Sequence, residues 1–265
     1  MAADMMYTAL SGLDTFNSAL SVVSDNIANA NTTGFKCNTV DFGDLVSGLI
    51  STADGAPTAQ GVGSSVLGIT SDFTTGSEIQ TGNWSDLMIQ GTGFFSVENP
   101  TSNAVSYTRD GAFSVNSAGL LTDESGNDAL DSAGNTITIA AGTTDLSVDQ
   151  FGNITGIAPG ATTATYIDTI GITTFSNPNG LVREGKNDYT PGPNAGAPII
   201  ANPAGQGGAT SDTGGTIISG ALEGSNVDLT AQMVNLIDYQ ADYQANSKSI
   251  ETGNTLLQTV VNLIR

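Results

Sequence analysis

Apolar and polar positions follow two different periods along this chain, and the change of period divides it. From Asp4 to Ala30, the positions Met6, Leu10, Leu13, Asn17, Leu20, Ser24 and Ile27 recur at alternating steps of four and three. That is a heptad seam along one side of a helix. The run "NANTTGF", with Gly34 after the last periodic position, is rich in helix-stopping residues. The carboxyl end repeats the spacing through Leu229, Met233, Leu236, Gln240, Tyr243, Ser247, Ile250, Asn254, Leu257, Val261 and Ile264. Ser225 or Asn226 is the expected N-cap, with Asp228 in the first turn. At ~1.5 Å per residue the two helices span about 40 Å and about 55 Å.

Between them no helical period is sustained. Short β-rich runs, "SSVLGIT", "LMIQG", "GFFSV", "TITIA", "LSV", "YIDTIGITTF" and "TIISGAL", alternate with the turn signals "SAG", "ESGND", "SAGNT" and "QFGN". The expected fold class is α+β. A discontinuous coiled-coil domain forms from both terminal helices (1–30 and 226–265), and an all-β domain of irregular barrel or sandwich type (71–225) is inserted between them. Residues 31–70 are expected as a linker or extended segment.

The helices carry more apolar surface than one pairing covers. The first has a second stripe, Met5, Ala9, Phe16, Ala19 and Val23, with Gly12 between. The last has Val234, Ile237, Ala241, Leu256, Val260 and Leu263 off its seam. Each large apolar side chain left in water forgoes ~1.5–3 kcal/mol relative to burial. Eight or so of them, on the order of the count here, outweigh the stability of a typical domain. Glycine-containing joints at both junctions point to helices that project from the β domain, so neighbouring copies become the expected cover. The expected self-assembly residues are Met6, Leu10, Leu13, Phe16, Leu20, Val23, Ile27, Met233, Leu236, Ile250, Leu257, Val260, Val261 and Ile264. Asn17, Ser24, Gln240, Ser247 and Asn254 interrupt the seams and set register at a cost in stability.

Composition narrows the partners. The 265 residues hold 6 Lys plus Arg against 26 Asp plus Glu, a formal net charge of -20. Such a surface repels phosphate backbones and anionic headgroups, so nucleic acid is not an expected partner. No run approaches the ~20 apolar residues of a membrane span, so no membrane insertion is expected. The start "MAADMMYTAL" lacks the basic region and unbroken apolar core of a signal peptide. There is no histidine, which removes Ser-His-Asp and Cys-His triads and most catalytic zinc sites. With Cys37 alone, no internal disulfide or multi-cysteine metal site forms. No catalytic residue, cofactor or metal is expected.

An enzyme would have to work with carboxylates alone, as a secreted glycan-active protein. "DESGNDALDSAGN" crowds Asp123, Glu124, Asp128 and Asp131, but sequence nearness does not set two carboxylates across a cleft, and turn-forming is their expected role. The same stretch departs from the calcium-loop pattern. An acidic adhesin with a β binding module is a third reading, opposed by the matched helical ends. Trp84 is expected to pack within the domain. One of Phe94 and Phe95 should face the core, Arg109 and Asp110 should close a local salt bridge, and Cys37 should be a packing residue.

The residues also carry a family resemblance. "SGLDTFNSALSVVSDNIANANTTGFK" resembles the amino-terminal signature of bacterial flagellar axial proteins, with Asn26, Ala28, Asn29, Thr33, Gly34, Phe35 and Lys36 in the matching places. "GTGFFSV" and "YTRDGAFSVNSAGLL" resemble β-domain motifs of the rod and hook proteins, and the stretch from "LEGSNVDLTAQ" to "VVNL" resembles their carboxyl-terminal helix.

The resemblance implies a coiled-coil inner domain lining a hollow tube, β domains stacked outside, and subunits repeated by a non-closing contact into a helical filament. It implies export without a cleaved leader to an extracellular hook or basal body. The implied partners are the chain itself, adjoining rod, hook-cap and hook–filament junction proteins, and the flagellar export apparatus. The closest likeness is to the hook, a joint that transmits torque while bent; the length and single β domain are nearer the distal rod protein, a straight drive shaft. Gly34, Gly43, Gly48, Gly220 and Gly224 are expected as joints between layers.

Overall fold

The computed structural model describes residues 2–51, 57–201 and 214–263. The chain divides into two compact units: residues 1–30, 37–72 and 227–265 form one, and residues 31–36 and 73–226 form the other. The α+β class holds, with a helix near each end and strands between, and the β unit does not close into a barrel.

In the first unit, helix α1 (Ala2–Ala28) and helix α2 (Leu229–Leu263) flank in sequence a two-stranded antiparallel ribbon, β1 (Asn38–Ser51) and β2 (Pro57–Ser71). The ribbon pairs from Asn38 opposite Ser71 to Ser51 opposite Pro57. The ribbon lies within the stretch 31–70 expected as a linker or extended segment, apart from Ser71, and "SSVLGIT" lies in β2 of the helical unit.

The helices run antiparallel. The Asn26 amide meets Gln232, Phe16 stands beside Tyr239, and a Cβ added at Gly253 would stand 3.1 Å from Met6 Cγ. Phe16, Phe42 and Tyr239 form a ring triad, each pair of centroids 6.1 Å apart, which joins α1, β1 and α2. The N-cap of α2 is Asp228, not Ser225 or Asn226. Its Oδ1 accepts the N–H groups of Thr230 (2.8 Å) and Ala231 (3.3 Å), satisfying donors that the first turn leaves open. Asn226 instead donates to the carbonyl and hydroxyl oxygens of Thr74.

In the β unit the largest sheet is built around the strand Phe94–Glu98, which pairs with Val105–Thr108, Asp128–Ala129 and Ile172–Thr174. This strand is buried on both faces, and alternation explains why. Phe95 and Val97 enter a core with Leu87, Ile89, Phe113, Ile154 and Ile217. Phe94 enters a second, aromatic core with Tyr107, Phe175 and Tyr189. Both phenylalanines are thus core residues, where only one was expected. Trp84 packs against the first core.

"YIDTIGITTF" and "TIISGAL" each break into two strands, Thr165–Thr169 with Ile172–Thr174 and Thr216–Ser219 with Ala221–Glu223. "TITIA" is not a strand. Ile137 and Ile139 are buried, but Thr136 and Thr138 make only isolated bridges, to Leu130 and Leu120.

Candidate assembly surface and a buried charge cluster

The apolar face that α1 closes is not the expected seam. Its buried positions are Ala9, Gly12, Thr15, Ala19, Val23 and Asn26, small residues in the main. Small side chains allow close approach: a Cβ added at Gly12 would stand 2.7 Å from the Asn246 amide nitrogen. Met6, Leu13, Phe16, Leu20 and Ile27 are half-buried, Leu10 is 48% exposed, and Asn17 and Ser24 lie in solvent.

On α2 only Gln232 and Gly253 are buried. Leu236 and Ile250 are half-buried, whereas Met233, Leu257, Val260 and Val261 are exposed and Ile264 lies outside the described residues. Past Gly253, α2 continues to Leu263, carrying Leu256, Leu257, Val260, Val261 (61% exposed) and Leu263 (81% exposed). Met6, Tyr7, Leu10 and Ile250 also line a shallow apolar groove.

The motif after α1 has a physical account at each residue. The Asn26 side chain is fully buried and substitutes for a strand partner. Its Oδ1 accepts the Asn38 N–H (2.9 Å), and its Nδ2 donates to the Asn38 carbonyl (2.7 Å) and to Gln232 Oε1 (3.2 Å). Asn29 folds back to donate to the backbone and side-chain oxygens of Asp25. Gly34 has φ +66°, and a Cβ there would stand 2.6 Å from the Asp110 nitrogen, so both conformation and space call for glycine. Phe35 is buried beneath the Arg183 guanidinium, 5.1 Å from its ring. Gly224, expected with Gly34 as a joint, is likewise closely enclosed: its N–H donates to the Ser77 carbonyl at 2.7 Å.

Lys36 leads into a cluster that sequence reading missed. Its ammonium, fully buried, donates to Glu223 Oε1 at 2.6 Å and to the Thr74 carbonyl at 2.7 Å. The same Oε1 accepts the Gly76 N–H at 2.8 Å. Glu223 Oε2 meets Arg109 Nη1 at 3.4 Å, and Arg109 Nη2 donates to the Gly91 carbonyl at 2.9 Å. The guanidinium stacks over Phe94, 4.9 Å from its centroid.

Arg109 therefore does not pair with Asp110. The Asp110 carboxylate accepts from the Ala112 N–H and the Thr33 hydroxyl, and burial pushes its pKa above the ordinary carboxylate value. Burial likewise pulls the Arg109 guanidinium down, opposed by Glu223. The available signal was Glu223 itself, one charge in the otherwise uncharged run "TIISGALEGSN".

The crowded carboxylates form turns. Asp123, Asp131 and Asp149 each begin a D-x-x-G-N turn, in which Oδ1 accepts the N–H of the asparagine four residues on and Oδ2 accepts from that asparagine's side chain. Beside them a cleft of about 340 Å³ is lined by Thr33, Asp110, Asp123, Glu124, Lys186 and Asp188. Burial first, then Asp123, raises the Asp188 pKa to about 6. Among the described residues, no group of three or more Cys, Asp or Glu side chains is arranged to hold a metal ion. Cys37 is buried, and burial and then Asp72 raise its thiol pKa.

Paired terminal helices with an uncovered apolar end, and a β unit built within the chain between them, make up the architecture of a structural rather than a ligand-holding chain among the described residues. Three family models match the chain in order. They are "Flagella basal body rod protein" over residues 6–36, "Flagellar hook protein FlgE/F/G D1 domain" over 88–156, and "Flagellar basal body rod FlgEFG protein C-terminal" over 218–263.

Whole-chain relatives agree. The flagellar basal-body rod protein FlgG of Bacillus subtilis (strain 168) is 37% identical, covering 98% of each chain. FlgG of Agrobacterium fabrum is 30% identical over 95% of this chain and 96% of its own, and the rod protein FlgF of Caulobacter vibrioides is 29% identical over 97% and 96%. The chain belongs to the flagellar axial family of rod and hook proteins and is a structural subunit of the flagellum.

Proposed function

We propose that this chain is a distal-rod subunit of the flagellar basal body, polymerising with copies of itself into a straight hollow shaft that transmits torque. The hook, preferred from the sequence motifs, is the second reading. Rod is favoured because the relatives aligned along nearly their full length carry rod-protein names. The observation that carries polymerisation is the uncovered end of α2. Leu256, Leu257, Val260, Val261 and Leu263 are 40–81% exposed, and each forgoes part of the ~1.5–3 kcal/mol of full burial, which a neighbouring subunit supplies by covering it.

The half-exposed positions Met6, Leu10, Leu13 and Leu20 of α1 and Met233 of α2 complete that surface. Contacts with adjoining rod and hook-side proteins, passage through the flagellar export apparatus and location outside the cytoplasm belong to the same proposal.

Leu257→Asp and Val261→Asp place a charge on the part of α2 that the isolated subunit leaves exposed. Both variants should remain folded, with the circular dichroism of the parent, and should form no tubes under conditions in which the parent polymerises. Normal tubes from both would overturn the assignment of this surface. Electron microscopy of the parent polymer separates the two readings: straight, stiff tubes support the rod, and curved, flexible tubes support the hook.

A further inference from the structure

The Glu223 carboxylate is the point at which distant stretches of the β unit meet. It accepts from Lys36, Gly76 and Arg109, its own backbone carbonyl accepts the Gly34 N–H at 2.8 Å, and Lys36 and Arg109 hold the carbonyls of Thr74 and Gly91. All three charged side chains are wholly buried, two cations against one carboxylate. Carbonyl oxygens alone offset the desolvation of a buried ammonium or guanidinium poorly.

Glu223 also comes late in the chain. Its strand, Ala221–Glu223, pairs with Glu78–Gln80, and the preceding strand, Thr216–Ser219, pairs with Leu87–Gln90 and brings Ile217 into the core. Closing these pairings spans well over a hundred residues, the kind of long-range contact that forms after local ones.

We propose that Glu223 is the closing clasp of the β unit. Lys36 and Arg109 enter the interior only when Glu223 arrives to meet them, so the two aromatic and aliphatic cores, the segment that follows α1 and the strand that precedes α2 become fixed in a single cooperative step. A chain delivered amino-terminus first keeps the β unit open until the residues just before α2 are present. This goes beyond assembly: it concerns the folding of one subunit and stands whether the polymer is rod or hook.

The test is native-state hydrogen exchange on the full-length monomer, read by mass spectrometry. Glu223→Gln removes the negative charge that both buried cations meet. It should lower protection by a similar factor, about a hundred-fold or more, across the whole β unit, including Phe94–Glu98, Val105–Thr108 and Asn153–Ile157. The triple variant Lys36→Met, Arg109→Met, Glu223→Met removes all three charges and should return protection to within about ten-fold of the parent.

Loss confined to residues 34–36, 74–78 and 221–224, with the other strands at parent protection, would make the cluster a local contact and overturn the proposal. So would a triple variant no better protected than Glu223→Gln. If Glu223→Gln yields no folded protein, the triple variant decides alone: a folded β unit supports the clasp, and an unfolded one rejects it.

Discussion

Asp188 shows how one side chain in the β unit works against stability at neutral pH. It lies almost buried beside Asp123 and Glu184, with Lys186 and the Asn127 amide as its favourable neighbours. Its pKa is raised from 3.8 to about 6. A carboxyl with a raised folded-state pKa adds stability that is fully present below the unfolded value and is lost as pH rises through the folded value. The unit should therefore lose roughly 1–3 kcal/mol between about pH 4 and about pH 7 on account of this group. Asp188→Asn keeps an acceptor for Asn127 and removes the charge. Urea unfolding should find the variant more stable than the parent by that amount near pH 7 and equal to it near pH 4. An equal difference at both values would show that the charge is not the cause. One turn aspartate behaves oppositely: Asp131, although partly desolvated, receives the N–H groups of Asn135 and Ala133 and the Asn135 amide, and its pKa is held below the ordinary value.

At the scale of elements, helix existence was legible and helix facing was not. Periodicity located α1 and α2 and marked Ala9, Gly12, Ala19 and Val23 as a second stripe, but it put the seam of larger residues first, and α1 closes on the smaller ones instead. Ala9, Gly12 and Ala19 are buried because close approach of α2 and the ribbon needs little side chain, while Leu10 is left outside. This predicts an inversion of the usual expectation. Gly12→Leu should cost the monomer roughly 1–3 kcal/mol, since the new side chain meets Asn246, whereas Leu10→Ala should change it by no more than about 0.5 kcal/mol. Denaturant unfolding followed by circular dichroism measures both, and a Leu10→Ala loss as large as that of Gly12→Leu would return the closed face to the large-residue seam. Strands were legible where they alternate or are apolar on both faces, as at Phe94–Glu98. The Lys36–Glu223–Arg109 cluster was not, because it depends on contacts far apart in sequence, which no local pattern encodes.

For the molecule as a whole, charge and apolar surface oppose each other in association. A net charge of -20 makes copies repel at every separation within a Debye length. The surfaces proposed to meet carry little of that charge. The only acids on α1 are Asp4, Asp14 and Asp25, and α2 bears no ionisable side chain between Glu251 and Leu263. Lys248 is already engaged with Glu251 at 2.6 Å, so almost no cation on the helices is available to bridge subunits. Attraction at these surfaces is then apolar and insensitive to moderate salt, whereas the repulsion is long-ranged and screened by it. Raising ionic strength from about 0.01 M to about 0.15 M shortens the screening length from about 30 Å to about 8 Å. The critical concentration for polymerisation, followed by light scattering, should fall over that range. A critical concentration that rises instead would mean that ion pairs between subunits, not the uncharged helix ends, hold the polymer together.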